Sequence, residues 1–446
     1  MTSEIIDETA SADSIDRRRD SEVLCIVGLG YVGLPLATTF DEAGYDVIGY
    51  DVDESLIESL RRDEDPTNEI GGDRLAELEV EFVPDPVDIE RADYVFVTVP
   101  TPLDSSQNPE LEFVRSAART IGEHLSEGTT VVLESTVYPG VTRNVLQPTL
   151  AEASGLTPGE EFNVGYSPER LSPGDGGRGI RDAVKIVSGD SESTLANLSR
   201  IYGSIIDAGV HEAASLEVAE AAKVLENVQR DLNIALMNEV AIICENLDID
   251  TKEVIEAAGT KWNFHEYSPG LVGGHCIPVD PLYLVHGSER AGFSPKLILQ
   301  AREINEYMPT HVADLTIRGL NDCGKVIKDT RLLVLGAAYK PNVGDIRTSE
   351  VKTVISVLEQ YGVDAVVYDP IADDEAIAES LDVETVSEPD YDGCDGIVLA
   401  TPHEQFYSLD FPGAVEELEP DPVFVDVKAV MDEQELTEAG YEYRCL

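Results

Sequence analysis

Three stretches of this 446-residue chain carry residue types that could do chemistry together. Lys223, Asn227 and Arg230 recur at helical spacing, which sets an ammonium, an amide and a guanidinium on one face. Their neighbours Val224, Leu225, Val228, Leu232 and Ile234 are apolar. A polar stripe is the solvated side of many helices; the length of this one, its expected burial and the scarcity of lysine weigh for a working face. The second stretch, Pro269-Gly-Leu-Val-Gly-Gly-His-Cys-Ile-Pro-Val-Asp280, is a glycine-rich loop with Cys276 four residues before Asp280. A buried cysteine is ordinarily inert packing. Here glycine amides and a nearby cation would lower the thiol pKa and make it a nucleophile. The third, Tyr166-Ser-Pro-Glu169-Arg170, lies at a strand end, where open α/β sheets form ligand crevices. Its plainer reading is a surface turn closed by a salt bridge.

A fourth feature points to a cofactor. Gly28-Leu-Gly30-Tyr31-Val32-Gly33 directly follows a strand and opens a helix. The first glycine permits the tight turn, the second lets amides approach a pyrophosphate, and the third allows close helix–strand packing. The helix N-terminus then presents N–H groups to the phosphates. The next strand ends at Asp51, 23 residues after Gly28, where a carboxylate accepts from an adenosine ribose and repels a 2′-phosphate. NAD is therefore expected rather than NADP.

The elements that must position these residues are legible as alternating short apolar runs and helical stretches. Strands are expected at 23–30, 46–51, 94–99, 129–135, 162–166 and 184–188, near-continuously apolar as in a parallel sheet covered on both faces. One long helix follows over 214–246, without Gly or Pro, to bridge domains or carry an interface. Alternation resumes with strands at 331–335, 365–368, 396–400 and 423–427. The expected fold is α/β: two Rossmann-like, doubly wound parallel-sheet domains joined by a central helical segment with one long helix.

Composition narrows the function. The formal net charge is -56, from 31 basic and 87 acidic residues, and only 10 of the basic ones are lysine. Phosphate and anionic lipid would repel such a surface, which argues against nucleic-acid or membrane partners. A 42% hydrophobic fraction nevertheless supplies real cores, so the charge reads as adaptation to a salt-rich cytoplasm. The six cysteines show no paired spacing, so neither a disulfide framework nor a metal site is expected. No apolar run approaches the ~20 residues of a membrane span. Residues 1–21 read as a mobile acidic tail; Arg17-Arg18-Arg19 mimics a twin-arginine export signal, but Asp20 and Glu22 interrupt it.

Taken together, these motifs resemble the UDP-glucose/GDP-mannose dehydrogenase family over about residues 22–430. The resemblance includes Val99–Pro102, Glu134–Gly140, Ser167–Arg170, Ala222–Asn227, Gly273–Cys276 and Tyr339–Arg347. Gly259–Phe264, Pro269–Cys276, Asp280–Leu284, Gln229–Glu239 and Ser167–Asp175 look most like its UDP-N-acetylglucosamine 6-dehydrogenase branch. The resemblance implies an NAD-binding domain (22–210), a central dimerisation segment with the cysteine loop (211–318) and a UDP-sugar-binding domain (319–446). It implies two successive oxidations at C6 through a Cys276 thiohemiacetal and thioester, in a cytoplasmic homodimer serving polysaccharide biosynthesis. Lys223 would stabilise the oxyanion, with Asn227 and a water on Asp280 assisting, and Glu169 would activate water. Thr101, Thr136 and Arg347 would line the cofactor alongside Gly28, Gly30, Tyr31, Val32, Gly33 and Asp51. Glu169, Arg170, Lys223, Asn227, Arg230, His265, Tyr267, Gly273, Lys340 and Lys428 would meet the substrate. Two departures stand out. Ser268 occupies a position where the branch commonly has Arg, and His265-Glu266-Tyr267 replaces a more apolar triplet. Rival readings are a UDP-N-acetylmannosamine or UDP-glucose 6-dehydrogenase, a single-step hydroxyacid dehydrogenase needing no cysteine, and a non-catalytic NAD- or UDP-sugar-binding protein.

Overall fold

The computed structural model describes residues 22–67, 69–170 and 179–446. The expected tail, 1–21, and the 171–175 part of the Ser167–Asp175 stretch lie outside the described residues. The chain forms two compact units: one runs to Leu225 and takes in Leu282–Ala291, and the other comprises Glu226–Pro281 and Gly292–Leu446.

In the first unit the strands are β1 (Val23–Val27), β2 (Asp46–Tyr50), β3 (Glu81–Val83), β4 (Tyr94–Val97), β5 (Thr130–Leu133), β6 (Asn163–Tyr166), β7 (Lys185–Gly189) and β8 (Val210–Glu212). They form one sheet in the order β3-β2-β1-β4-β5-β6-β7-β8. Its first six positions have the order of dinucleotide-binding folds. All residues of β4 and β5 are buried, as strands covered on both faces require. Helix α1 (Gly33–Glu42) follows β1, and Phe40 on it packs against Phe96 of β4 with ring centroids 5.0 Å apart. Helix α2 (Glu192–Gly203) is capped by Ser191, whose hydroxyl accepts from the Thr194 N–H, and it buries Tyr202 in the same core.

Two differences from the expected sheet have physical reasons. Short edge strands β3 and β8 join it; three residues are too few to show a periodicity. More consequentially, β7 runs antiparallel to β6, pairing Gly165 with Gly189 and Tyr166 with Ser188. A parallel return needs a crossover, usually helical. The sequence between these strands carries two prolines and four glycines, a poor helix former.

Helix α3 (Leu216–Leu247) has 32 residues, close to the expected 214–246. It begins in the first unit and continues into the second. There follow α4 (Asp280–Arg290) and α5 (Lys296–Asp322). The second sheet comprises β9 (Arg331–Leu335), β10 (Asp364–Tyr368), β11 (Glu384–Thr385), β12 (Gly396–Leu399), β13 (Val423–Asp426) and β14 (Glu442–Cys445), all parallel, ordered β11-β10-β9-β12-β13-β14. Met308, Val312 and Leu315 of α5 share a core with Leu332, Val334 and Val425 of this sheet.

The two sheets repeat one topology that the sequence conceals. Asp51 follows β2 and accepts from the Leu29 N–H at 2.7 Å; Asp369 follows β10 and accepts from the Ala337 N–H at 2.7 Å. The Thr98 hydroxyl donates to the Gly28 carbonyl at 2.6 Å; in the second sheet Ala400 stands at the position of Thr98, and the next residue, Thr401, donates to the Ala338 carbonyl at 2.6 Å. Among the described residues no helix is long and apolar enough to cross a membrane.

Candidate active site

The loop after β1 is built for close approach. Gly28 has φ +95°, and a Cβ at Gly33 would collide with the Gly28 carbonyl oxygen and the Thr98 hydroxyl, so neither position accepts a side chain. A Cβ at Gly30 would meet nothing within 4 Å, so the loop leaves space there for a pyrophosphate. Val32 caps α1 without a side-chain hydrogen bond; in the first turn the Leu34 N–H is given to the Gly30 carbonyl at 3.1 Å and Pro35 has none, so an anion here would meet the amides at the very start of the helix. Tyr31 is half exposed beside it.

Asp51 orders this loop, accepting also from the Asp53 N–H at 2.9 Å, yet it stays partly exposed and its carboxylate keeps lone pairs for ribose hydroxyls. Asp369 is different. It is buried and receives the N–H groups of Ala337, Ala338, Ile371 and Ala372 and the Nε2 of His403. His403 Nδ1 accepts from the Asn342 N–H, which fixes the tautomer that donates to Asp369. Burial alone would raise the Asp369 carboxyl, but His403 and the backbone amides hold it down at about 2. That saturated carboxylate has no capacity for a ribose, so of the two repeats the first fits the dinucleotide. Asp51→Ala should raise the KM for NAD about 10- to 100-fold, the loss of a charged hydrogen bond to ligand, and narrow the preference over NADP. An NAD KM within about twofold of wild type would contradict this placement.

Further along the same unit, the Thr101 hydroxyl donates to the Thr136 carbonyl at 2.8 Å, joining two of the expected cofactor residues beyond β4 and β5. Tyr283, fully buried on α4, braces this corner by donating to the Thr101 carbonyl at 2.7 Å. Glu169 follows β6, and its Oε1 accepts from the Arg170 N–H at 2.6 Å. Arg170 in turn reaches the Val184 carbonyl. Lys223 is buried on α3.

The second unit holds the cysteine loop. Cys276 is the one exposed cysteine of six, and none of the six is in a disulfide. Its carbonyl accepts from the Asp280 N–H at 2.9 Å, so the thiol sits one turn ahead of α4. Asp280 is buried and accepts from the Asn227 amide at 2.5 Å. The polar face of α3 therefore grades outward: Lys223 buried, Asn227 half-buried, Arg230 exposed.

Three anchors fix this loop. Asn238, fully buried on α3, clasps Gly270, accepting from its N–H at 2.7 Å and donating to its carbonyl at 3.1 Å. Behind it the Asn305 Oδ1 accepts from Asn238 at 2.8 Å, and Asn305 donates to Asp231, which pairs with Arg302 at 2.7 Å. Lys428 donates to the Pro269 carbonyl at 2.9 Å, and burial pulls its ammonium down to about 8. Finally, Gly274 donates to the Thr348 carbonyl, and a Cβ there would lie 2.9 Å from the Tyr339 ring. A Cβ at Gly273 would likewise strike the Thr348 carbonyl.

His275 pairs with Asp345 at 2.9 Å. The Arg347 guanidinium, with His275 assisting, holds the Asp345 carboxyl well below the usual range. The expected cofactor residue Arg347 is thus engaged with Asp345, on the segment that also carries half-buried Lys340. Tyr267 accepts from the Gln229 amide at 2.8 Å, while His265 and Ser268 are exposed. Sequence reasoning missed Asn238, Tyr283, Glu134 and Lys185 as site residues; Asn238 lies within the Gln229–Glu239 stretch, where a fixed amide on a buried helix face was the available signal.

The chain matches three domains of the UDP-glucose/GDP-mannose dehydrogenase family: the NAD binding domain over residues 22–206, the central domain over 217–307 and the UDP binding domain over 333–433. It is 41% identical over 415 residues to Protein CapL of Staphylococcus aureus, covering 93% of this chain and 97% of that one. It is 39% identical over 411 residues to the UDP-N-acetyl-D-glucosamine 6-dehydrogenase of Pseudomonas aeruginosa, covering 92% and 97%. The solved UDP-D-ManNAc dehydrogenase of Pyrococcus horikoshii superposes with a TM-score of 0.84 at 29% identity, covering 95% of this chain and 98% of that chain. Fold, nucleotide loop and these matches define an NAD-dependent nucleotide sugar dehydrogenase. The chain belongs to the UDP-glucose/GDP-mannose dehydrogenase family.

Proposed function

We propose that this enzyme oxidises C6 of a UDP-N-acetylhexosamine, UDP-N-acetylglucosamine foremost, to the uronic acid with two NAD reduced. The observation that carries the reading is Cys276: an exposed thiol, not in a disulfide, on an anchored loop, one turn ahead of the helix whose Asp280 is held by Asn227. NAD supplies hydride acceptance in both oxidations. As the alcohol becomes aldehyde its hydroxyl proton leaves to the water held by Asn227 and Asp280, and Lys223 stabilises the developing alkoxide. Cys276 adds to the aldehyde carbon, and the tetrahedral adduct loses the second hydride to leave a thioester. Water then forms the new C–O bond, the C–S electron pair returns to the thiol sulfur, and Glu169 takes the water's proton. Asn227 and Asp280 hold a water beside the oxyanion. Thr101, Thr136 and Arg347 are assigned to the cofactor, and Arg170, Arg230, His265, Tyr267, Gly273, Lys340 and Lys428 to the substrate.

The N-acetyl preference is supported by the matched stretches around the cysteine loop and by the similarity to relatives of that printed activity. Specificity constants for UDP-N-acetylglucosamine, UDP-N-acetylgalactosamine, UDP-N-acetylmannosamine and UDP-glucose test it. The highest kcat/KM should fall to an N-acetylated sugar; turnover of UDP-glucose alone would overturn the assignment.

The reading extends to assembly and setting. Val218, Leu225, Leu236, Ile243 and Leu247 form an exposed apolar series along α3, which supports a homodimer packed through this helix. A net charge of -56 supports work in a salt-rich cytoplasm, where NAD and UDP-sugars are made, with the uronate passing to polysaccharide synthesis.

A further inference from the structure

One buried cation lies outside the chemistry described so far. Lys185 opens β7, and its ammonium is 2.7 Å from Glu134 Oε2 and 3.4 Å from Glu169 Oε2. Its side chain is 3% exposed, that of Glu134 0% and that of Glu169 11%. The Tyr202 hydroxyl donates to the other Glu134 oxygen, Oε1, at 2.5 Å, and the ammonium sits 5.2 Å from the Tyr202 ring centre. Ser167 ties the two strands by donating to the Ile186 carbonyl at 2.8 Å. One ammonium therefore serves two carboxylates. The short bond closes a neutral, wholly buried Lys185–Glu134 pair, and the longer one reaches the carboxylate nearer the surface.

The antiparallel turn of β7 explains how the lysine gets there. Tyr166 pairs with Ser188, and continuing that register three residues past β6 sets Glu169 opposite Lys185. A parallel β7 would bring a different residue to this end of β6. The antiparallel pairing of β7 with β6 thus delivers a cation to the carboxylate assigned as base.

We propose that Lys185 is the positioning residue of Glu169: it fixes the carboxylate at the end of β6, with Glu134 and Tyr202 locking the ammonium in place. The proposal rests on the reading of Glu169 as the base of thioester hydrolysis. In that step the water oxygen bonds the acyl carbon, the C–S pair leaves with Cys276, and the water's proton passes to Glu169. Lys185 stays protonated throughout, because Glu134 neutralises it whether or not Glu169 holds the proton. Among the described residues, the charged or titratable groups facing Glu169 are Glu134 after β5, Lys185 on β7, Tyr202 on α2 and Arg170 in its own turn. Burial opposes the charge on Lys185, but the two carboxylates outweigh it and hold the ammonium above its ordinary value.

The test uses the full chain as Lys185→Arg, Glu169→Gln, and Lys185→Met with Glu134→Gln. The double variant removes the buried pair as a neutral unit, so no uncompensated charge threatens folding. It should keep its NAD KM within about twofold and still release a burst of NADH in the first turnover. Steady-state turnover should fall about 10- to 100-fold, a part of what general-base catalysis supplies. Lys185→Arg should keep turnover within about threefold. Burst and steady rate falling by one common factor in the double variant, or a steady rate left at the wild-type value, would overturn the proposal. Glu169→Gln separates the two assignments: it should keep the burst and lose steady turnover, and full turnover in Glu169→Gln would refute the base itself, whereas full turnover in the double variant alone would refute Lys185.

Discussion

Cys276→Ser is expected to lower uronate formation by about 10^3-fold or more, the order seen when a covalent nucleophile is removed. A serine hydroxyl keeps the shape of the site but is essentially never ionised near neutral pH, so it does not trap the aldehyde as the thiol does. The loop should survive the change, because Asn238, Lys428 and the Gly274 amide anchor it through backbone atoms and none of them uses the sulfur. NAD affinity should also stand, since Gly28–Gly33 and Asp51 belong to the other compact unit. Steady-state NADH release and aldehyde trapping with a hydrazine check this directly. Full activity in the serine variant would mean a single-step alcohol dehydrogenase that never needed the thiol.

Lys223→Ala should reduce kcat about 10^2- to 10^3-fold while leaving the KM for NAD within about threefold, because a donor aimed at a developing oxyanion acts only in the transition state. Lys223 is buried and stands one turn before Asn227 on α3, the helix that also carries the loop clasp Asn238. A guanidinium in its place is planar and wider, so Lys223→Arg should rescue poorly. Thermal unfolding of each variant separates a lost donor from a lost fold. A kcat within about fivefold of wild type in Lys223→Ala would remove the lysine from the chemistry and return the α3 stripe to an ordinary polar face.

What could be read in the sequence was local. The glycine loop and Asp51 are legible because a turn, a close approach and a strand-end carboxylate each demand one residue type at a fixed offset. Helix α3 was legible to within two residues at each end, since nothing breaks it over its whole length. The antiparallel β7 was not, because strand direction is decided by a connection whose sequence only fails to favour helix. Nor was the kinship of the two sheets: it lives in strand order and in one matching hydrogen bond, made by Asp51 in the first sheet and Asp369 in the second, while the residues around it differ.

Within the site, side chains already suspected were joined where both belong to strong motifs, as with Asn227 and Asp280 or Thr101 and Thr136. The supports were hidden. Asn238 meets Gly270 from 32 residues away and Lys185 meets Glu134 from 51, distances over which no spacing rule operates. Arg230 and His265 are exposed, which the helical face and the loop sequence did not predict.

The thioester route through Cys276 fixes the electron count at two hydrides per sugar. The most direct test is the NADH released per sugar nucleotide consumed, measured to completion in molar KCl with UDP-N-acetylglucosamine and the product identified by mass. Two NADH per uronate formed is the predicted result. One NADH, with an aldehyde or keto sugar as the end product, would contradict the thioester route through Cys276.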